Sequence, residues 1–371
     1  MKILVIGSNG FIAKNLIISL NSVKNISIFK IKSKKDDKKI FKILPKVDTV
    51  FHLAGINRSS LKKDFYKNNL YLTKRICDFI IKNRLNLKFF YTSTIQTNKS
   101  TFYGLTKKKA EDSVLLLKKK TKCSVFIYKL PNIFGKGCLP FYNSVIATFC
   151  YQLARDKKVT IKNPKKILNF LYIDDLIESF KKNLYKKKNL KNKFVSLPKT
   201  YKISLSNIYK ILCDFQSNSN FTKQYSQKGF LKKLFATYVS YLPISKTKNF
   251  IHGFKDSRGS FYEILKSKLS GQISFLSVGR AQTRGNHYHN TKVELFFLVS
   301  GRVKINTQNI FNNQKFSFIL SCHQKIPYMV TQPGFAHNIV NIGKVDAKFI
   351  IWSNEIFNIT KPDTHVYKIS K

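Results

Sequence analysis

The pattern of apolar positions changes texture about two-thirds of the way along this 371-residue chain. Up to about residue 180, short apolar runs alternate with stretches of helical periodicity. KILVIG is followed by FIAKNLIISL, then SIFKI, VDTVFHLAG, NNLYLTKRICDFII, KFFYTST, GLTKKKAEDSVLLLKKK and SVFIYKL. Runs of strand length alternating with amphipathic helices predict an α/β, doubly wound parallel sheet of Rossmann type, covered on both faces. Residues 202–240 continue as mainly helical. From about residue 252 the runs become short, alternating and separated by turns: QISFLSV, VELFFLVSG, RVKIN, KFSFIL and AKFIIWS. A period of two with regular turns predicts an all-β barrel or sandwich. The boundary is expected between about 244 and 252, giving domains 1–246 and 247–371 with no internal repeat.

Composition adds a globular class and a question about charge. At 43% hydrophobic and 14% aromatic residues, the chain can bury full cores in two to three domains. With 68 basic against 18 acidic residues, the formal charge is +50, which admits nucleic-acid binding as a remote alternative. The excess is dispersed, however, in short runs such as Lys107–Lys109, Lys118–Lys120 and Lys186–Lys188 beside helical segments, and these are expected to be solvated faces. Lys, Asn, Ile and Phe are enriched together, as A/T-rich codons would produce. A dispersed positive field still favours an anionic small substrate over none. The six cysteines show no CxxC, and Cys77, Cys150 and Cys213 fall in helical stretches, so buried reduced thiols in the cytoplasm are expected. MKILVIGSNG reaches a glycine turn too soon for a secretory core, and no apolar run approaches the ~18 residues of a membrane span.

Two sets of residues carry chemistry. Gly7-Ser-Asn-Gly10-Phe-Ile-Ala13 stands between the first strand and first helix. There, glycines permit a tight turn and close approach of a pyrophosphate to the helix N-terminus. After the second strand, Lys30, Lys32, Lys34 and Lys35 stand where an acidic residue would hold a ribose 2′-hydroxyl, which suits the 2′-phosphate of NADP. Tyr103 and Lys107 form YxxxK on one helical face, so an ammonium lies near a phenol, and Thr94 can offer a hydroxyl to the same substrate oxygen. In the second domain His287 and His289 share a strand face, with Glu294 five residues on and His337 further along. This donor set suits a borderline divalent ion.

With these motifs in order, the N-terminal part resembles the extended short-chain dehydrogenase/reductases. That resemblance implies a catalytic set of Thr94, Tyr103 and Lys107. It implies NADPH held by Gly7, Asn9, Gly10, Phe11, Ile12, Lys30, Lys32, Leu53, Ala54, Gly55 and Asn69, together with Tyr103 and Lys107. The segments Lys129-Leu-Pro-Asn-Ile-Phe-Gly135 and LNFLYIDDL match substrate-side segments of that family. The C-terminal HxHx4Ex6G at His287–Gly301 and Pro333-Gly-Phe-Ala-His337-Asn-Ile-Val-Asn341 resemble the two cupin motifs. They imply His287, His289, Glu294 and His337 around one divalent metal, with zinc expected. Arg284-Gly-Asn-His287 is also similar to the RGxH of nucleotide-sugar 3,5-epimerases, in which the histidine is a base; the company of the other donors favours His287 as a ligand. Asp256-Ser-Arg-Gly-Ser-Phe261 is similar to a substrate-edge segment of those epimerases. His252, His323 and His365 have no partner spacing and read as surface or packing histidines.

Along its whole length the chain resembles the bifunctional capsule-sugar enzymes of the CapF/WbjC type, a reductase fused to a cupin. Asn143–Tyr151, Ser240–Pro243 and Gly285–His287 add to the match. The resemblance implies a cytoplasmic homodimer whose substrate is a UDP-linked 4-keto-6-deoxy-N-acetylhexosamine. Epimerisation at C3 would precede NADPH reduction at C4 to UDP-N-acetyl-6-deoxy-L-talosamine, on the route to UDP-N-acetyl-L-fucosamine for capsule or O-antigen. A non-catalytic cupin used for pairing or capture, and a related enzyme of another keto nucleotide sugar, remain the alternatives.

Overall fold

The computed structural model describes residues 1–32, 37–186, 194–217, 229–251, 254–256, 259–261, 271–323, 325–355 and 360–369. Lys34 and Lys35 of the basic run, Ser257 and Arg258 of the substrate-edge segment, and His252 lie outside the described residues. Contacts divide the chain into two compact units, residues 1–134 with 168–202, and residues 135–167 with 203–371.

The first unit is built on β1 (Lys2–Ile6), α1 (Phe11–Asn21), β2 (Ser27–Ile31), α2 (Asp37–Ile43) and β3 (Thr49–His52). It continues through α3 (Lys62–Phe65), a π-helical stretch Tyr66–Tyr71, α4 (Leu72–Lys82), β4 (Lys88–Thr94), α5 (Phe102–Lys120) and β5 (Ser124–Leu130). The strands form one parallel sheet in the order β2-β1-β3-β4-β5. Both faces are covered, which is why β3 is buried throughout and β1 from Ile3 onward. On one face the rings of Phe51 and Phe90 stack at 4.3 Å and those of Phe90 and Phe126 at 4.5 Å. Phe180 from α7 (Ile173–Leu184) meets Phe90 edge-on, and α7 packs on α1. A second cluster, including Leu4, Val50 and Tyr91, packs with Ile76 and Ile80 of α4 and Ala110 and Val114 of α5. Strand order reverses between β1 and β3, so a crevice opens beyond their carboxyl ends, where such sheets bind ligands. β6 (Asn132–Phe134) pairs in parallel with β7 (Ile167–Tyr172) beside this sheet.

In the second unit, α6 (Val145–Leu153) packs on α8 (Leu205–Ser217), which follows β8 (Tyr201–Ser204), and on α9 (Gly229–Val239). The remaining strands are antiparallel: β9 (Lys248–Ile251), β10 (Phe254–Asp256), β11 (Gly259–Phe261), β12 (Gln272–Val278), β13 (Thr283–Tyr288) and β14 (Glu294–Ser300). Then come β15 (Arg302–Asn309), β16 (Lys315–Ser321), β17 (Ile326–Val330), β18 (Phe335–Asn341), β19 (Ala347–Ser353) and β20 (His365–Val366). Two sheets, β12-β19-β14-β17-β9 and β16-β15-β18-β13-β20, make a cupin-like barrel. Alternating side chains from both meet inside it: Phe296, Leu298, Val303, Ile305, Ile339 and Phe349 form its core. Gln332 ties the barrel to the end of α9, its side-chain amide donating to the carbonyls of Val239 at 3.2 Å and of Leu242.

Two expectations are corrected. Lys107 does not belong to a solvated face: it is 3% exposed, because its position on α5 turns it inward while Lys108 and Lys109 stay outside. Cys213 is only partly covered, whereas Cys77 and Cys150 are buried; all six cysteines are free. No helix among the described residues is long and apolar enough to cross a membrane.

Phe349 is fully buried between the two sheets. Phe349→Ala is expected to cost about 3–5 kcal/mol through lost burial and the cavity left behind. Chemical denaturation followed by barrel tryptophan fluorescence (Trp352) measures it; a loss below about 1 kcal/mol contradicts this packing.

Candidate active site and metal centre

The glycine turn closes off β1 directly at the crevice. Gly7 has φ +85°, and a Cβ there would stand 2.7 Å from the Ala54 Cα, so no other residue fits without displacing the end of β3. The Gly7 and Ser8 amides donate to Ile31 O at 3.0 Å, and Gly10 N donates to Gly7 O at 2.9 Å. Helix α1 starts after Gly10 with no side-chain cap, leaving first-turn N–H groups for a ligand. A cavity of about 330 Å³ lies here, lined among others by Gly7, Gly10, Lys32, Leu53, Ala54 and Gly55. Lys32 is the described basic residue on this wall. Asn9, Phe11, Ile12, Lys30, Asn69, Tyr103 and Lys107, expected at the cofactor, do not line the cavity, while Asn68 and Ile40, unremarked in the sequence, do. The Ser8 hydroxyl is buried with no hydrogen-bond partner, as expected of a polar atom awaiting a ligand.

Behind the cavity a polar network fixes the helix that carries Tyr103. Asn69, in the π-helical stretch, accepts from Ile56 N at 2.8 Å and donates to Ile56 O at 2.9 Å, clamping the chain after β3. A Cβ on Gly55 would lie 3.1 Å from Asn69 Oδ1 and 3.8 Å from Lys107 Nζ, so these three groups are neighbours. Lys107 donates to Thr92 O at 2.6 Å and sits 4.3 Å over the Tyr91 ring. Thr101 caps α5 by accepting from Gly104 N at 3.1 Å, which sets the first turn and hence Tyr103. Tyr103 is half-buried in the first turn of α5, with Thr94, the last residue of β4, beside it. Burial raises the Tyr103 phenol above its usual value, and the Thr94 side chain partly offsets this. Burial lowers the Lys107 ammonium to about 7, opposed by the carboxylate of Glu111. Ser93, whose buried hydroxyl also has no partner, escaped the sequence reading because a serine beside a threonine carries no pattern.

The second set of residues converges inside the barrel. At Gly285–His287 the ladder between β13 and β18 slips by one residue: Gly285 pairs with Asn338 and His287 with His337. Gly285 has φ +106°, a Cβ there would meet His337 O at 2.7 Å, and Asn286 has φ +58°. This bulge explains the Gly-Asn before His287, since it sets that imidazole directly beside His337 with ring centroids 4.7 Å apart. His289 follows one residue beyond the end of β13. One donor atom from each of His287, His289, Glu294 and His337 lies within 4.8 Å of the others. His289 Nε2 stands 3.1 Å from Glu294 Oε2, and both ring nitrogens of buried His337 lack partners. Such orphaned nitrogens beside a carboxylate fit a divalent cation.

The electrostatics agree. Burial and the neighbouring imidazoles lower His287 to about 4 and hold His337 well below the ordinary histidine value, so both are neutral near pH 7. Glu294 falls to about 2: burial pushes it up, and His289, Lys292 and His337 more than reverse this. The turn at Pro333-Gly334 forms with Gly334 N donating to His289 O at 3.0 Å. Lys292, 3.4 Å from Glu294 Oε1, and Asp363, whose carbonyl is 2.6 Å from His289 Nδ1, were not singled out in the sequence. A lysine in so basic a chain and an aspartate 74 residues from His289 give no local signal. His365 stacks on Tyr288 and His323 bonds Ser321 at the surface, as packing and surface histidines.

The fold and this pair of sites define a nicotinamide-dependent epimerase/reductase scaffold joined to a barrel. Residues 3–203 match the NAD dependent epimerase/dehydratase family and residues 254–365 the polysaccharide biosynthesis C-terminal domain. A UDP-2-acetamido-2,6-beta-L-arabino-hexul-4-ose reductase of Pseudomonas aeruginosa is 34% identical over 100% of both chains. The chain therefore belongs to the NAD dependent epimerase/dehydratase family, in the branch that carries this C-terminal domain. The crystal structure of the capsular polysaccharide assembling protein CapF of Staphylococcus aureus superposes with TM-score 0.66 at 32% identity, covering 99% of this chain and 100% of its own. A UDP-glucuronic acid 4-epimerase of Bacillus cereus, solved with NAD, shares the fold over 59% of this chain and 85% of its own, at 21% identity and TM-score 0.52.

Lys107 provides a direct test of the buried network. Between about 7 in the folded chain and 10.5 when unfolded, the unfolded chain binds more protons at this site. Its contribution to stability therefore rises with pH across that window and is lost as pH falls through the folded value. NMR titration of the Lys107 side chain in the cofactor-free protein is expected to show a midpoint near 7; a midpoint at 10.5 contradicts it.

Proposed function

We propose that the chain is a bifunctional nucleotide-sugar enzyme with catalytic modules 1–246 and 247–371. The cupin module epimerises a UDP-2-acetamido-2,6-dideoxy-hexos-4-ulose at C3. The reductase module then reduces C4 with NADPH to UDP-N-acetyl-6-deoxy-L-talosamine, for capsule or O-antigen precursors. The observation that carries this reading is the full-length identity with the hexul-4-ose reductase, which spans both the Thr94–Tyr103–Lys107 set and the His/Glu cluster. Lys32 on the cavity wall supports NADPH over NADH. The protein is read as a cytoplasmic homodimer that does not engage nucleic acid or membrane.

The chemistry follows from one ketone. A C–H next to a carbonyl becomes acidic when the enolate oxygen is stabilised, and a divalent ion held by His287, His289, Glu294 and His337 supplies that stabilisation when bound. Lys292, buried beside Glu294, adds positive charge to the same wall. Reprotonation from the opposite face inverts C3. For the second reaction, Gly7 and Gly10 would hold NADPH, which would supply hydride to C4 when bound. Thr94 orients the carbonyl oxygen by hydrogen bonding, and Tyr103 donates its proton to that oxygen as charge develops. Burial keeps the phenol protonated before the reaction, and Lys107 beside Gly55 and Asn69 stabilises the phenolate that forms.

Tyr103→Phe is expected to abolish NADPH oxidation while C3 proton exchange into deuterated solvent persists; product NMR with and without NADPH reads both. Loss of both activities together contradicts two sites, and no exchange without NADPH makes the cupin a non-catalytic module. Elemental analysis of the purified chain is expected to find about one divalent ion per chain, and a metal-free protein refutes the metal assignment.

A further inference from the structure

We infer that Asp363 is a positioning residue of the metal centre: its carboxylate anchors the turn 290–292 and thereby holds its own main-chain carbonyl against His289, so that Nε2 is the ligand atom. This rests on reading the His/Glu cluster as a metal site. A carbonyl oxygen can only accept, so at 2.6 Å a hydrogen must lie on His289 Nδ1, which leaves Nε2, facing Glu294, as the ring atom that can take a cation. Metal-bound imidazoles depend on such a partner for ring orientation and tautomer.

The carbonyl is held in place by the side chain of the same residue. Asp363 Oδ1 accepts from Asn290 N at 2.8 Å. Oδ2 accepts from Thr291 N at 2.6 Å, Lys292 N at 2.7 Å and Thr291 Oγ1 at 3.0 Å. Three successive amides thus converge on one carboxylate, in the segment joining His289 to Glu294. The C-terminal strand is fixed on the far side as well: His287 pairs with Val366, Tyr288 with His365, and Tyr367 N donates to Asn286 O at 2.7 Å. Lys292 Nζ, near Glu294, also donates to Thr364 Oγ1 at 3.0 Å. A segment that only closed the barrel would need the strand pairing; it would not need a carboxylate gathering the turn between two ligands.

The test compares wild type, Asp363→Ala and Asp363→Asn as full-length chains. Long-range proton–nitrogen NMR of the metal-free protein, with His289→Gln to assign the signal, is expected to show wild-type His289 as the single Nδ1–H tautomer. Asp363→Ala is expected to give a tautomer mixture and about 10- to 100-fold weaker Zn²⁺ binding in chelator competition. Asp363→Asn keeps the acceptor for Asn290 and is expected to fall between the two. Circular dichroism accompanies each variant; if Asp363→Ala does not fold, Asp363→Asn decides by the same readouts. Unchanged tautomer and Zn²⁺ binding within about twofold of wild type overturn the assignment. If wild type itself binds no Zn²⁺, the metal reading fails, and the tautomer comparison still decides the role of Asp363.

Discussion

Desolvation is the constraint on which both sites depend. A buried polar group costs several kcal/mol unless it is paired, so each unpaired or charged atom in this protein needs a reason. Lys107 is the clearest case. The fold withdraws an ammonium from water and gives it one short bond to Thr92 O and the face of Tyr91, which leaves its proton loosely held. The helix that carries it is fixed by the Thr101 cap, while Asn69 clamps the chain after β3 beside it. In the barrel the same constraint crowds the neutral imidazoles of His287 and His337 around the Glu294 carboxylate, which Lys292 flanks, a donor set that fits a cation.

The two halves solve the positioning problem differently. In the parallel sheet, reactive groups come from strand ends and the first turns of helices, at the place where strand order reverses. In the barrel they come from β13, its neighbour β18, the turn after β13 and the start of β14 in the facing sheet, and a one-residue bulge sets the alignment. Gly285 and Asn286 spend backbone conformations with positive φ to bring His287 opposite His337. A regular ladder would leave Asn286 there instead, and the His/Glu cluster would not close.

Much of this was legible in the sequence, for identifiable reasons. Alternating strand-length runs and helical periods gave the first sheet, and period-two runs such as RVKIN and KFSFIL gave the barrel, because Val303, Ile305 and Leu320 face its core; in QISFLSV the alternation misleads, since Ile273 and Phe275 are exposed. Gly7, Gly10, Thr94, Tyr103, Lys107 and the His/Glu set stand at local spacings that carry chemistry. What stayed hidden was non-local. The inward turn of Lys107 away from its two lysine neighbours depends on which face of α5 meets the sheet. Asp363 reaches the turn after His289 only because β20 returns along β13, and sequence spacing does not encode that return.

The grip of Gln332 on the last turn of α9 bears on how this polypeptide can be divided. Its amide spans from the barrel to the Val239 and Leu242 carbonyls, while Thr331 next to it exchanges hydrogen bonds with the backbone of Glu294. A fragment beginning at residue 247 would lose both acceptors of that amide, next to the residue that hydrogen-bonds Glu294. The domain boundary drawn by sequence texture is therefore a poor place to cut: an excised barrel that keeps α9 retains the helix end its own loop was built to meet.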